Sequence, residues 1–298
     1  MKLGIIGLGK MGNAIAYRVI KGGYEVVGFD IDDAHMQEAQ KIGVEKAADL
    51  ADLAERADVI WLMIPSGKPV DDIIEALLPH LQDGNIIIDG GNSNFKNSQR
   101  RALELKKHGI YFLDCGTSGG LRGRENGFSL MVGGDENVYF RVLPILEVIA
   151  EKRGVGHMGP SGAGHYVKMI HNGIEYGLLQ AYGEGFQLLK EGQYEDLDLE
   201  KIAYIWLHGS IIRSFLLELI DEVYKEKKDF SKISGEIQEG GTGRWAVQEA
   251  KDQDIPVRVL EEALKVRKWS REFGGNYATK LVVLLRNKFG GHFIKTLD

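Results

Sequence analysis

The sequence predicts an α/β N-terminal domain, doubly wound around a mainly parallel sheet, followed by an all-α C-terminal domain. Three observations predict it. Short apolar runs alternate with amphipathic segments through the first half, the pattern of βαβ units. A glycine-rich turn, Gly159–Gly164, ends that alternation. Beyond it the sequence shows long helical periodicities and no run that reads as a strand.

The elements follow in order. Lys2–Ile6 reads as a first strand, Asn13–Lys21 as a helix and Glu25–Asp30 as a second strand. Val59–Ile64, Ile86–Asp89 and Ile110–Asp114 are further apolar runs, separated by helical patterns at Val70–Leu81 and Asn97–His108. Ser129–Gly133 reads as another strand and Glu136–Lys152 as the helix that closes the domain. Helical patterns then cover 165–191, 199–225, 257–273 and 277–289. The division into domains is expected at 1–161 and 162–298.

Composition narrows the functions. Among 298 residues, 37 Lys and Arg against 43 Asp and Glu leave a net charge of −6. That balance offers no basic surface for nucleic acid or an anionic membrane. Glycine, 39 of 298 or 13%, is in excess, which points to tight turns and close approaches of backbone to ligand. One cysteine, Cys115, excludes an internal disulfide and a cysteine-built zinc site. It reads as a buried small hydrophobe. No apolar stretch reaches the ~18 residues that span a bilayer. The expectation is a soluble protein of a reducing, cytoplasmic compartment.

Gly7-Leu8-Gly9-Lys10-Met11-Gly12 follows the first strand and opens the first helix. In that context G-x-G-x-x-G is a dinucleotide fingerprint and the sheet a Rossmann sheet. Gly7 permits the turn, Gly9 admits a pyrophosphate and Gly12 lets helix and strand close up. The helix N-terminus then offers unpaired N–H groups to phosphate. Asp30 ends the second strand, where an acid binds a ribose 2′-hydroxyl. A 2′-phosphate would meet Asp30, Asp32 and Asp33 with no arginine nearby, so the cofactor expected is NAD, with NADP disfavoured.

Lys168, His171, Asn172, Glu175 and Tyr176 fall at i, i+3, i+4, i+7 and i+8, one helix face about 140° wide. Met169, Ile170, Ile174 and Leu178 lie largely on other faces, so two sides of the helix are expected away from solvent. A lysine and a glutamate on such a helix suggest a polar cavity. Polar turns follow three strands: Ile64-Pro65-Ser66-Gly67, Gly90-Gly91-Asn92-Ser93 and Cys115-Gly116-Thr117-Ser118-Gly119-Gly120. That rim is where a doubly wound sheet places ligands. The sequence around Ser118 shows no sign of a nucleophile–base arrangement, and Ser118 reads as a hydrogen-bond donor.

Together, IIDGGNS at Ile87–Ser93, TSGG at Thr117–Gly120, GFSLMVGG at Gly127–Gly134, GAGHYVKMIHNGIEYG at Gly162–Gly177 and GTGRW at Gly241–Trp245 resemble motifs of the decarboxylating 6-phosphogluconate dehydrogenases. These are members of the β-hydroxyacid dehydrogenase superfamily. The resemblance covers nearly the whole chain, in a short form with one helical unit. It implies oxidative decarboxylation of 6-phospho-D-gluconate to D-ribulose 5-phosphate and CO₂, without a metal.

By that resemblance Lys168 is the general base and Glu175 the acid that protonates C1. Asn92, Ser118, Gly119, Gly120, His171 and Asn172 hold the carboxylate and hydroxyls, and Tyr176, Thr242 and Arg267 hold the phosphate. Ile64, Pro65 and Asn92 join Gly7–Gly12 and Asp30 around the cofactor. Arg286 and His292 belong to a tail that reaches a neighbouring subunit's site, so a homodimer or higher oligomer is implied.

Two departures stand out. Longer members carry a lysine before Gly-Thr-Gly, where this chain has Gly240; either Arg244 compensates or phosphate affinity is lower. NADP-dependent members carry a basic residue after the second strand, where this chain has Ile31-Asp32-Asp33. Two other readings compete: a β-hydroxyacid dehydrogenase for a small unphosphorylated acid, and a catalytically silent nucleotide-binding protein.

Overall fold

A computed structural model describes residues 1–297. The chain forms two compact units, Met1–Met169 and a second from Ile170 onward.

The first unit holds an eight-stranded sheet. In chain order its elements are β1 Leu3–Ile6, α1 Lys10–Lys21, β2 Val26–Phe29, α2 Asp33–Lys41, β3 Glu45–Lys46, α3 Leu50–Arg56, β4 Val59–Leu62, α4 Lys68–Leu77, β5 Ile86–Asp89, α5 Phe95–Lys106, β6 Tyr111–Ser118, α6 Gly123–Asn126, β7 Phe128–Gly133, α7 Glu136–Ile149 and β8 Ala150–Gly159. The strand order is β3-β2-β1-β4-β5-β6-β7-β8, and every pairing is parallel except β6 with β7. Strand order reverses between β1 and β4. Chains leaving the carboxyl ends of those two strands diverge and leave a crevice there.

Both faces of the sheet are covered, which is why its strands read as continuous apolar runs rather than alternating ones. Ile86 and Ile88 face one core with Leu3, Ile5 and Trp61, while Ile87 faces the other with Ile6, Val27 and Leu62. Each such side chain contributes roughly 1.5–3 kcal/mol of burial.

The second unit is helical. Helix α8, Ala163–Glu191, begins in the first unit and runs into the second, which continues with α9 Leu199–Leu207, α10 Phe215–Glu226, α11 Thr242–Asp252, α12 Arg258–Phe273 and α13 Tyr277–Gly290. Leu179 and Phe186 of α8 meet Ile220, Val223 and Tyr224 of α10 and Leu281, Leu284 and Leu285 of α13 in one core. Among the described residues the only β-pairing here is an isolated bridge, Ile233 with Thr296. No helix among them is long and apolar enough to cross a membrane.

Several elements differ from the sequence reading. The helix expected to Lys152 stops at Ile149, and Ala150–Gly159 is an edge strand. Its charges, glycines and shifted register erase any period of two. The pattern over 199–225 is broken at His208–Ser214, where Gly209 takes φ +98° and the Ser214 hydroxyl caps α10 by accepting the Leu217 N–H. Helix α11, inside the GTGRW motif, and the short α2, α3 and β3 were not read as elements.

Candidate active site

The cofactor side is built mostly from main chain. Gly7 turns the chain out of β1 at φ +91°, and a Cβ there would lie 2.3 Å from the Met63 carbonyl oxygen. Gly9 is the N-cap of α1 and supplies no side-chain cap, so the first N–H groups of the helix stay available to an anion. A Cβ on Gly12 would stand 1.9 Å from the Gly7 carbonyl oxygen. Only glycine lets α1 start this close to β1.

A groove of about 460 Å³ opens over this turn. Gly9, Lys10, Met11 and Gly12 form its floor, Met63 to Ser66 and Gly90 to Asn92 its walls, with Thr117 and His35 at its edges. Ile64, Pro65 and Asn92 line this groove together with the glycine turn. Leu8 contributes differently: its side chain is in the core, and its N–H donates to the Asp30 carboxylate at 2.5 Å.

Asp30 also accepts the Asp32 N–H at 2.8 Å, and His35 Nδ1 lies 3.3 Å from its Oδ2. Asp32 caps α2. Asp33 turns away to Lys46 at 3.1 Å, so the acids at the adenosine end are Asp30 and Asp32, with His35 beside them. His35 was missed because α2 was not read as a helix; its first turn is what carries the imidazole back over Gly9.

Ser118, Gly119 and Gly120 leave the end of β6 as a turn, with φ of +138° at Gly119 and +57° at Gly120. They follow Thr117 and are not part of the groove lining.

Lys168 is placed by an unusually close helix–sheet contact. The buried Asp114 carboxylate, on β6, accepts the N–H groups of Gly162 at 2.6 Å and His165 at 2.8 Å, capping the start of α8. Gly164 has no room for a Cβ, which would fall 2.4 Å from Met131 O and 2.5 Å from Asp114 O. Gly116 leaves 2.3 Å between its own missing Cβ and Cβ of Lys168. The lysine is thereby pressed to the strand and only 7% exposed. His165, one turn earlier and 1% exposed, bonds Ser98 through Nδ1 at 2.8 Å, and its Nε2 is buried without a hydrogen-bond partner. Asp114 and His165 escaped sequence reading because each looked like an ordinary end residue of a strand or helix. Cys115 is fully buried, and burial pushes its thiol far above the usual range, as its reading as a hydrophobe expects.

The compact division falls after Met169 because this first part of α8 packs on β6 and β7; the sequence places it after residue 161.

Further along α8 the helix belongs to the second unit, where five more predicted residues converge. Asn172 Nδ2 donates to Thr242 Oγ1 at 3.3 Å, and His171 Nδ1 lies 3.0 Å from Asn172 Oδ1. Gly241, at φ +88°, opens α11, and Gly243 lets it pass against the Tyr176 ring, 2.3 Å from where a Cβ would sit. The Arg267 guanidinium lies over the other part of this arrangement, 3.3 Å from the Tyr176 ring centroid.

Arg267 is 1% exposed, and neither Nη1 nor Nη2 has a hydrogen-bond partner. Burial first, with the neighbouring charge of Arg286, lowers its pKa to about 10 against the pull of Tyr176, Glu175 and Glu239. Burial also lowers Arg286, which is 7% exposed. Two buried cations, one with unused N–H groups, are costly unless an anion completes them.

Arg286 lies within α13, in the helix expected over 277–289, and its charge acts on Arg267 of its own chain. Two expectations need correction. Arg244 does not stand in for the absent lysine, because Glu239 accepts from both its Nε and Nη2 at 3.2 Å. Gly240 has open space around it. On α8 only part of the apolar side leaves solvent within this chain: Met169 is buried, but Ile174 is 52% and Leu178 47% exposed, while Lys168, Asn172 and Tyr176 are buried. His292 is exposed and edge-on to Phe289.

A dinucleotide cradle in a Rossmann unit, followed by a helix that presents a buried lysine and runs into a helical unit, defines a β-hydroxyacid dehydrogenase. The family model for the NAD binding domain of 6-phosphogluconate dehydrogenase matches residues 2–169, and that for the 6-phosphogluconate dehydrogenase C-terminal domain matches residues 164–294. The chain belongs to the 6-phosphogluconate dehydrogenase family. It is 46% identical to the NAD(+)-dependent, decarboxylating 6-phosphogluconate dehydrogenase of Haloferax volcanii, over 100% of both chains. Among solved structures it resembles the Plasmodium falciparum 6-phosphogluconate dehydrogenase, described with NADP+ and with 6-phosphogluconate, at TM-score 0.83 and 31% identity, covering 91% of this chain and 62% of that one. The Mycobacterium tuberculosis 3-hydroxyisobutyrate dehydrogenase shares the fold at TM-score 0.75 and 21% identity, covering 96% and 99%.

Proposed function

We propose that this chain oxidises and decarboxylates 6-phospho-D-gluconate to D-ribulose 5-phosphate and CO₂ with reduction of NAD, NADP being the poorer cofactor. The observation that carries the choice of substrate is Arg267, buried against Tyr176 with both terminal nitrogens unpartnered and Arg286 beside it. A phosphate dianion supplies the acceptors these groups lack. A small unphosphorylated acid leaves them unsatisfied.

Tyr176, Thr242, Arg267 and Arg286 hold the phosphate in this reading. Asn92, Ser118, Gly119, Gly120, His171 and Asn172 hold the carboxylate and hydroxyls. NAD, when bound, supplies the hydride acceptor. Lys168, neutral on substrate binding, takes the proton of the 3-hydroxyl as C3 is oxidised. The 3-keto acid then releases CO₂, its electrons passing into the carbonyl, which protonated Lys168 polarises by donating a hydrogen bond. Glu175 protonates C1 of the enediol, giving the ketose. Gly7 to Gly12 cradle the pyrophosphate, Asp30 accepts from the adenosine ribose, and Ile64, Pro65 and Asn92 bound the nicotinamide end.

Residues 1–161 form the cofactor-binding domain and 162–298 the substrate and dimerisation domain. The enzyme is at least a homodimer with His292 completing the partner's site. The exposed Ile174 and Leu178 support that assembly, since a soluble monomer gains nothing from an apolar stripe left in water. A single buried, unpaired cysteine suits a cytoplasmic protein.

The test is reduced-cofactor absorbance with 6-phosphogluconate, run with NAD and with NADP, with CO₂ collected. Faster turnover with NAD and one CO₂ per NADH supports the reading. Better turnover with NADP removes the role given to Asp30, and no turnover with either removes the substrate.

A further inference from the structure

We propose that Arg101, which is not part of the groove lining, is the positioning residue that sets the two walls of the groove at the nicotinamide end. Arg101 is on α5 and 2% exposed. Its guanidinium reaches both walls from behind. Nη2 donates to the Gly67 carbonyl at 2.9 Å, at the end of the loop that follows β4, and Nε to Asp71 at 2.8 Å, in the first turn of α4. Nη1 donates to Asp89 Oδ2 and to Ser93 Oγ, each at 3.2 Å, on either side of the loop that follows β5. Asp89 in turn accepts the Gly91 N–H at 3.1 Å and the Ser93 hydroxyl at 2.7 Å. Gly90, Gly91 and Asn92, which form one wall, thus hang between two residues bonded to Arg101. Ile64, Pro65 and Ser66, which form the other, end at a residue bonded to it.

One planar group with donors in a fixed fork spans these four partners. A lysine ammonium, a point donor on a flexible stem, does not. Burial alone would raise the Asp71 carboxyl, but the Arg101 and Arg100 guanidiniums outweigh it and hold Asp71 below its usual range.

The order of strands says which end of the cofactor feels this. From β2 through β1 and β4 to β5 the sheet runs past Asp30, the glycine turn, the Ile64 loop and the Asn92 loop in sequence. A dinucleotide with its adenosine ribose at Asp30 therefore reaches the Arg101-held loops with its nicotinamide half. The inference rests on the proposed binding of NAD.

The experiment compares NADH with ADP-ribose, which lacks the nicotinamide, by equilibrium titration of the full chain. For Arg101→Lys, the Kd of NADH is expected to rise about tenfold while that of ADP-ribose changes less than twofold, with kcat falling in parallel. A folded variant in which both ligands weaken equally, or neither does, overturns the proposal, because a merely structural role makes no distinction between the halves. Lysine keeps the charge but cannot reach all four partners, and a buried acceptor left unmet threatens folding, so Asp71→Ala is the second variant. Asp71 is 37% exposed at its side chain, and losing this one arm is expected to shift the NADH to ADP-ribose ratio about threefold, an unchanged ratio counting against the proposal. Failure of the unmodified protein to bind either ligand would instead sink the NAD reading itself.

Discussion

The two binding regions are built by opposite means. The cofactor groove is shaped by absent side chains: Gly7 and Gly12 leave a turn in which an added Cβ lies within about 2 Å of a backbone oxygen. The proposed phosphate site is shaped by present ones, the buried Arg267 over the Tyr176 ring and the buried Arg286 whose charge both feel. A site made of backbone fails sterically when a carbon is added. A site made of buried charge carries a stability cost for its function and fails when the charge goes. The same substitution logic therefore has opposite signs in the two regions.

The largest effect should come at neither region. Lys168→Ala is expected to reduce turnover by about 10³-fold or more, while titrations with NADH and with inorganic phosphate stay within twofold of the unmodified protein. Loss of either affinity would mean that Lys168 belongs to a binding region and not to the chemistry.

Next, Gly12→Ala brings a methyl 1.9 Å from the Gly7 oxygen and should weaken NADH binding by roughly 100-fold, with a lower Tm because the turn itself is strained. Unchanged binding would show that α1 can retreat from β1, and that the cradle is not shaped by backbone after all.

Arg267→Met is the counterpart. KM for 6-phosphogluconate should rise about 30- to 100-fold, as the loss of a charge-assisted pair predicts, yet Tm should hold or increase, since an apolar group replaces a cation with unpartnered nitrogens. A marked fall in Tm would make Arg267 a structural residue.

The pH dependence has a definite sign. The Arg267 pKa is depressed to about 10, chiefly by burial. Its charge is complete well below that pH and is lost as pH rises through it, so phosphate affinity should be about half by pH 10. Arg267→Met should abolish that component.

Among these substitutions the smallest effect concerns cofactor choice. Asp30→Ser should move the NADP to NAD ratio of kcat/KM about tenfold toward NADP, and less if Asp32 alone keeps the pocket acidic. Because Asp30 also holds the Leu8 N–H, NAD affinity should fall a few-fold in the same variant.

Legibility in the sequence follows the same contrast. Gly7, Gly9 and Gly12 could be assigned because their constraint is local: a turn, a helix start and a close approach within six residues. Ile86–Asp89 read as a buried strand because burial on both faces leaves a continuous apolar run. Ala150–Gly159 did not, since an edge strand is guarded by charge and bulges that look like loop. Arg101 and Asp114 carried no local signal, because what marks them is the set of distant groups they bind.

The class of fold, the dinucleotide turn, the acid after β2 and the stripe that begins at Lys168 are legible in the chain itself, because all are properties of near neighbours and of helical or strand period. Packing alone buries Arg286 where its charge reaches Arg267, pairs Arg244 with Glu239, and buries Lys168, Asn172 and Tyr176 of α8 while Ile174 and Leu178 face out. Whether a cation is buried, paired or left for a ligand depends on what packs over it. Here α11, α12 and α13, which form the pocket with α8, begin some 65 to 100 residues after Tyr176, beyond the reach of any local pattern.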